Sequence, residues 1–208
     1  GGYIVAGTTF SDDYDIQEFH GVADFWVVKL NASGTVQWTK ALGGSDYDRA
    51  KDIQQTNDGG YIVAGFTQST DGDVSGNHGD KDAWVVKLDS AGAMEWQKSL
   101  GGSGWEDVWS IELTSDGGYV LAAWASSPNG DVSGNHNGSL DLWVVKLSSA
   151  GDIEWQKSFG GSGDDTAASI KSTIDGGFIL IGSVGSNDGD VSGNNGNDDV
   201  WIVKLTSS

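Results

Sequence analysis

Acidic side chains recur at alternate positions in two short stretches, DGDVSGNHGDKD at residues 71–82 and DGDVSGNNGNDD at residues 188–199. With the first Asp as position one, oxygen-bearing side chains fall at positions three, five, seven and twelve, and Gly falls at position six. Calcium loops of the EF-hand type use this spacing, because alternate residues of a tight loop wrap a cation that needs six to eight oxygens. The spacing predicts Ca2+ binding by Asp71, Asp73, Ser75, Asn77 and Asp82, and by Asp188, Asp190, Ser192, Asn194 and Asp199.

Two further copies of this stretch match the calcium pattern less closely. One of them starts with an Asn, and an extra residue moves its closing Asp to position thirteen; its predicted ligands are Asn129, Asp131, Ser133, Asn135 and Asp141. The earliest copy has Asp13, Asp15 and Asp24, but Gln17 and Glu18 stand where Ser and Gly are expected. The alternative is a set of metal-free turns, because Asp, Asn, Ser and Gly all favour turns in which side chains bond neighbouring backbone amides.

The charge balance restricts the partners of the chain. Thirty acidic against eleven basic residues give a formal charge of −19, which repels nucleic acid phosphates and attracts cations. Cysteine is absent, so oxygen atoms are the abundant metal ligands. There is no apolar run long enough to cross a bilayer. We therefore expect neither nucleic acid binding nor membrane insertion.

The elements that must position these loops belong to an internal repeat. GGYIVAG at residues 1–7 returns at 59–65, as GGYVLAA at 117–123 and as GGFILIG at 176–182. The motif WVVKL or WIVKL begins at Trp26, Trp84, Trp143 and Trp201, and a further Trp recurs at 38, 96 and 155. Four copies of a unit of about 58 residues follow, at approximately 1–44, 45–102, 103–161 and 162–208. They are expected to form one domain.

Each complete copy predicts four short antiparallel strands. The turn NDGG at 57–60 precedes YIVAGFT at 61–67, and Asn/Asp-Gly next to an apolar run is typical of a hairpin. The segments at 61–67 and 83–88 are apolar almost throughout and are expected to be covered on both faces, whereas 93–100 alternates and is expected to be half exposed. The first copy lacks the innermost strand and the fourth lacks the outermost, so fourteen strands are expected.

The repeat resembles the extracellular β-propeller repeats of secreted and surface-anchored bacterial and archaeal proteins, which are similar to pyrroloquinoline-quinone-type blades. The resemblance is carried by WVVKLDSAGAMEWQKSLGGSG at 84–104 and DGGYIVAG at 58–65. It implies an all-β propeller of four-stranded antiparallel blades with circularly offset or truncated ends, and an extracellular or cell-surface location. Either the remainder of a longer chain or self-association with another copy is then expected to complete the propeller.

A non-catalytic binding or display module is the function that we expect, with a protein or glycan as its ligand. The repeated tryptophans are expected to pack between blades, whereas Trp105, Trp109 and Trp124 are not repeated and form the candidate ligand patch. His20, His78 and His136 are expected to be solvated loop residues. No pair of carboxylates and no nucleophile–histidine pair is singled out for catalysis. The alternatives are a structural spacer or self-assembling surface unit, and a quinone-dependent dehydrogenase-like enzyme.

Overall fold

The computed structural model describes residues 1–13, 16, 18–136 and 139–206. In this part of the chain all regular structure is β-strand. The fourteen strands are β1 (Tyr3–Thr9), β2 (Asp24–Leu30), β3 (Val36–Leu42), β4 (Asp48–Gln55), β5 (Tyr61–Thr67), β6 (Asp82–Leu88), β7 (Met94–Leu100), β8 (Glu106–Leu113), β9 (Tyr119–Ala125), β10 (Asp141–Leu147), β11 (Ile153–Phe159), β12 (Asp165–Ser172), β13 (Phe178–Val184) and β14 (Asp199–Leu205).

The strands form four antiparallel sheets in which neighbours along the chain are neighbours in space. Their orders are β1-β2-β3, β4-β5-β6-β7, β8-β9-β10-β11 and β12-β13-β14. The prediction of an all-β chain with repeated sheets of three or four strands is thereby confirmed. The acidic stretches at 71–82 and 188–199 lie where the sequence predicts them. They occupy the loops between β5 and β6 and between β13 and β14, and the last residue of each stretch begins the following strand.

Sequence-encoded turns set the register of the sheets. In the hairpin between β4 and β5, Gly59 has a φ of 86°, a conformation that favours glycine. The Asp58 side chain accepts a hydrogen bond from the backbone amide of Gly60, 2.9 Å away, which closes the turn. The innermost strands β4, β8 and β12 each carry a register shift, at Ala50/Asp52, Val108/Ser110 and Ala167/Ser169.

The hydrophobic core lies between successive sheets. Apolar residues of β1 and β2 pack on β5 and β6, those of β5 and β6 pack on β9 and β10, and those of β9 and β10 pack on β13 and β14. The innermost strand β8 also contacts both β4 and β12. Because β5, β6 and β10 are covered on both faces, all of their residues are buried, as expected from their composition. In β13 and β14 burial alternates instead, since one face of the fourth sheet is open.

Large aromatic rings join the sheets at repeated positions. Phe25 and Trp84 meet with ring centroids 4.6 Å apart, and Trp38 meets Tyr61 at 5.8 Å. The second contact is repeated by Trp96 with Tyr119 and by Trp155 with Phe178. These pairs have the tilted or edge-on geometry that aromatic rings prefer. Six of the seven repeated tryptophans therefore pack between sheets, as the sequence predicts, whereas Trp26 lies on the open face of the first sheet.

Candidate functional site

A pair of buried carboxyl groups lies at each of the three junctions between consecutive sheets. One member is the first residue of the third strand of a copy, and the other is the first residue of the innermost strand of the next copy. The pairs are Asp24 with Asp48, Asp82 with Glu106, and Asp141 with Asp165, and all six residues are fully buried. Burial of six acidic residues is unusual because charged groups lose their hydration there.

The two members of a pair face each other across a glycine. A Cβ atom placed on Gly43 would lie 2.5 Å from Oδ2 of Asp48 and 2.7 Å from Oδ1 of Asp24. Gly101 and Gly160 are flanked by the second and third pairs in the same way, with both carboxylates closer than 3.0 Å. The space between the two carboxyl groups is thus too small for a methyl group, and only glycine fits there.

Backbone amides and one histidine hold the carboxylates in place. Oδ2 of Asp82 accepts hydrogen bonds from the His78 amide at 2.9 Å, and lies 2.8 Å from Nδ1 of the His78 ring. His20 and His136 approach Asp24 and Asp141 in the same way. On the other side of the junction, Oδ2 of Asp48 accepts from the Gly44 amide at 2.8 Å. The histidines, predicted to be solvated, are in fact only partly exposed and contact buried carboxylates.

One oxygen of the first carboxylate has no hydrogen-bond partner within the described part of the chain. This atom is Oδ1 of Asp24, Asp82 and Asp141, the same atom that faces the second carboxylate. Burial raises the pKa of Asp24, Asp82 and Asp141, and it likewise raises the pKa of Asp48 and Glu106. The charge of the opposite carboxylate adds to this effect at Asp48, Glu106 and Asp141. Burial thus favours the protonated form of the first carboxyl of each pair.

The predicted calcium ligands are spread over several partners rather than directed at one point. Oδ1 of Asp71 accepts from the Ser45 amide at 2.7 Å, and Oδ2 of Asp73 accepts from the Gly43 amide at 3.2 Å. Nδ2 of Asn77 donates to the Ser69 carbonyl at 3.0 Å, and Oγ of Ser75 accepts from Gln97. Asp82 is buried in its pair. The loop thus docks on the Gly-Gly segment of the preceding sheet.

The other two loops repeat this docking. The carboxamide of Asn129 and the carboxylate of Asp188 accept from the Ser103 and Ser162 amides, at 2.9 and 2.7 Å. Asp131 and Asp190 accept hydrogen bonds from the amides of Gly101 and Gly160. Asn135 and Asn194 donate to backbone carbonyls, and Oγ of Ser133 accepts from Gln156. Ser192 is exposed, and Asp199 is only half buried.

Calcium binding by the acidic loops remains a prediction. Within the described ranges no group of three or more His, Cys, Asp or Glu side chains is placed to hold a metal ion. In the earliest copy of the loop, Asp15 and Gln17 lie outside the described residues, and Glu18 forms an ion pair with Lys40 at 2.8 Å. Asp71 and Asp73 each direct one carboxylate oxygen to a backbone amide of the preceding sheet.

The three non-repeated tryptophans lie near the innermost edge of the third sheet. Trp105 and Trp109 are 53% and 45% exposed, and Nζ of Lys51 lies 4.1 Å from the centroid of the Trp109 ring. Trp124 is partly buried, with Nζ of Lys81 at 4.7 Å from its ring. Among the described residues no ring-to-ring contact joins any two of the three. Lysines rather than stacked rings surround this aromatic patch.

Sequence reasoning missed the second member of each carboxyl pair. Asp48, Glu106 and Asp165 recur with the period of the repeat, and each stands five residues after the first glycine of a Gly-Gly segment. That shared position was the available signal. Their partners come from the preceding copy, so only the packing of two sheets brings the pair together.

No protein family model matches the chain. It is 25% identical over 171 residues to the regulatory protein FlaEY of Caulobacter vibrioides, a match that covers 72% of the chain and 18% of that protein. A solved structure of a protein of unknown function from Bacteroides caccae resembles it with a TM-score of 0.31 at 10% identity, covering 76% of the chain and 65% of that structure. The chain thus spans less than a fifth of the length of the curated relative.

Within the described residues there is no helix whose length and apolar character would let it cross a membrane.

Proposed function

We propose that the chain is a non-catalytic module of a secreted or cell-surface β-propeller, which binds a glycan through the exposed aromatic patch and holds calcium in its acidic loops. The observation that carries the binding role is the exposure of Trp105, just before β8, and of Trp109, within β8, at positions where the other copies of the repeat have no tryptophan. At the equivalent positions the second sheet has Tyr47 and Lys51. Deviations from a repeat are where function is expected in repeat proteins.

The composition of the patch favours a sugar ligand. Flat indole faces pack on the apolar faces of sugar rings, and an amphipathic ring can do so without losing its polar edge to burial. Lys51 is exposed and lies over the Trp109 ring, where it offers an ammonium donor to hydroxyl or carboxylate groups of a glycan. Lys81 lies over Trp124 but is ion-paired with the buried Asp107 at 2.9 Å, so Lys51 is the lysine available to a ligand.

The burial of the carboxyl pairs supports a non-catalytic role. A general acid or base must reach the proton that it transfers. The paired carboxyl groups are fully buried, as in Asp24 with Asp48 and in Asp82 with Glu106. A glycine, Gly43 or Gly101, fills the space between the two members of each pair. These buried acidic residues thus serve the contact between sheets. For this reason we place the quinone-dependent dehydrogenase-like alternative behind the binding module, and the structural spacer between them.

The calcium part of the proposal rests on charge and spacing. Asp71, Asp73 and Asp80 crowd one loop in a chain with a strong excess of negative charge, and a divalent ion would offset their repulsion. Because the backbone amides contact one oxygen each of Asp71 and Asp73, the other carboxylate oxygens would be the calcium ligands.

The binding role is tested with an array of neutral and acidic oligosaccharides. We expect the fluorescently labelled chain to bind a subset of the sugars saturably, and the double variant W105A/W109A to lose that binding. The control is I174A, because Ile174 is a fully exposed apolar residue in a turn outside the patch. Absence of saturable binding, or equal binding by the double variant, would contradict the proposal.

A further inference from the structure

The first and fourth sheets each leave one apolar face open. On the fourth sheet the open face consists of Ile179, Ile181, Val200 and Ile202, with Val200 72% and Ile202 62% exposed. On the first sheet it consists of Tyr3 and Val5, which are 61% and 49% exposed, and of the partly exposed Trp26. We call these the fourth-sheet face and the first-sheet face. Directly opposed residues of an antiparallel pair share a face of the sheet. On the first sheet Trp26 lies opposite Gly7, which is two residues after Val5 and so on the same face. On the fourth sheet Ile181 lies opposite Ile202.

These two faces are the two halves of an interface that the chain already makes three times. In the repeat, Ile181 and Ile202 correspond to Ala64 and Val85, which are fully buried against the following sheet. Val5 corresponds to Leu121, which is fully buried against the preceding sheet. The open faces are therefore complementary to each other. Each lies on the side of its sheet opposite to the side that is buried against the neighbouring sheet of the same chain.

We propose that the fourth-sheet face of one chain docks on the first-sheet face of a second copy. In this arrangement Ile179 and Ile181 lie on Tyr3 and Val5 of the other copy, and Val200 and Ile202 lie on its Trp26. The model for the contact is internal, since Ile62 and Ala64 pack with Tyr119 and Leu121 in the same way. Such a head-to-tail contact is heterologous, so it continues into a ring or an open array.

A second copy suits these faces because it presents the matching residues. A contiguous set of exposed apolar side chains marks an interaction surface. The net charge of −19 opposes the approach of two copies, so association should strengthen when salt screens that repulsion. The proposal does not depend on the proposed glycan or calcium binding, because the two faces contain neither Trp105 nor any residue of the acidic loops.

The association is tested by sedimentation equilibrium over a range of concentrations, at low salt and at about 0.5 M NaCl, where the Debye length is only a few ångströms. We expect the mass to rise above the monomer mass of 21.7 kDa with concentration, and more so at high salt. I202E should remain monomeric, whereas the control I174E should associate as the parent does. Ile202 and Ile174 are both exposed, so both variants should fold, which melting curves verify.

The register of the contact is tested by disulfide formation, since the chain has no cysteine of its own. An equal mixture of V5C and I181C chains should form a mixed disulfide dimer, while each variant alone should form far less. A parent chain that stays monomeric under all conditions would overturn the proposal and indicate that these faces belong to further repeats of a longer chain. Association of I202E equal to that of the parent, or V5C chains crosslinking readily with one another, would also overturn it.

Discussion

Oδ1 of Asp24 and Oδ2 of Asp48 face each other across Gly43, at a junction where both side chains are fully buried. The same relationship is repeated at the next two junctions, although Glu106 replaces Asp in one of them. Each pair connects strands from two successive copies of the repeat. The acidic residues of the chain thus have two roles, since some of them lie on loops in solvent and six of them join the sheets.

The first prediction concerns the glycine between the carboxylates. G101A should lower the free energy of unfolding by about 1–3 kcal/mol, the usual cost of adding a methyl group to a filled interior. The added Cβ would meet both Asp82 and Glu106 at less than 3.0 Å. Thermal and urea denaturation measure the change. G196A is the matched control, because a Cβ at Gly196 would meet nothing within 4 Å. Equal stability of the two variants would show that the junction is not closely packed.

The second prediction concerns pH. Burial raises the pKa of Asp82 in the folded chain, so this carboxyl stabilises the fold while it is protonated, and that contribution is lost as the pH rises through the folded-state pKa. Each pKa unit of difference between the folded and unfolded states corresponds to about 1.4 kcal/mol in the free energy of unfolding. D82N should therefore be more stable than the parent at pH 8, and the difference should shrink toward pH 4.

The control for this comparison is D80N, because Asp80 is exposed in the same loop. Urea denaturation at a series of pH values gives the free energy of unfolding for all three chains. D80N should follow the parent at every pH. A D82N variant that loses stability at pH 8 would show that Asp82 is held in its charged form by its hydrogen bonds with His78.

The third prediction concerns calcium. If the loops bind Ca2+, the melting temperature should rise with free calcium, since binding to the folded state alone adds about 2.7 kcal/mol at one hundred times the dissociation constant. Mg2+ should have a much smaller effect because it requires a tighter, octahedral shell. The double variant D73A/D190A should lose most of the increase. Because Asp73 and Asp190 also accept backbone hydrogen bonds, each chain is compared with itself in chelator. No increase in the parent would leave these loops as metal-free turns.

The sequence predicted the strands well because each depends on neighbouring residues. Turns with Asn/Asp-Gly and short apolar runs identify hairpins locally, and the repeat transfers the result to every copy. The carboxyl pairs could not be predicted in this way, since Asp24 and Asp48 meet only when two sheets pack. The spacing of the loop residues did not reveal where their side chains point: Asp71 and Asp73 turn toward Ser45 and Gly43. The alternate exposure of β14 likewise depends on which neighbour covers it.

We infer that the six buried carboxyl residues serve the fold and that the exposed tryptophans serve binding. It is tested most directly by measuring, for one oligosaccharide selected on the array, the affinity and the melting temperature of the parent, W105A/W109A and G101A. We expect W105A/W109A to lose at least about tenfold in affinity, which corresponds to about 1.4 kcal/mol, with little change in melting temperature, since both side chains are exposed. G101A should melt earlier and bind normally below its transition. A W105A/W109A chain that binds as tightly as the parent would show that the exposed tryptophans do not serve binding.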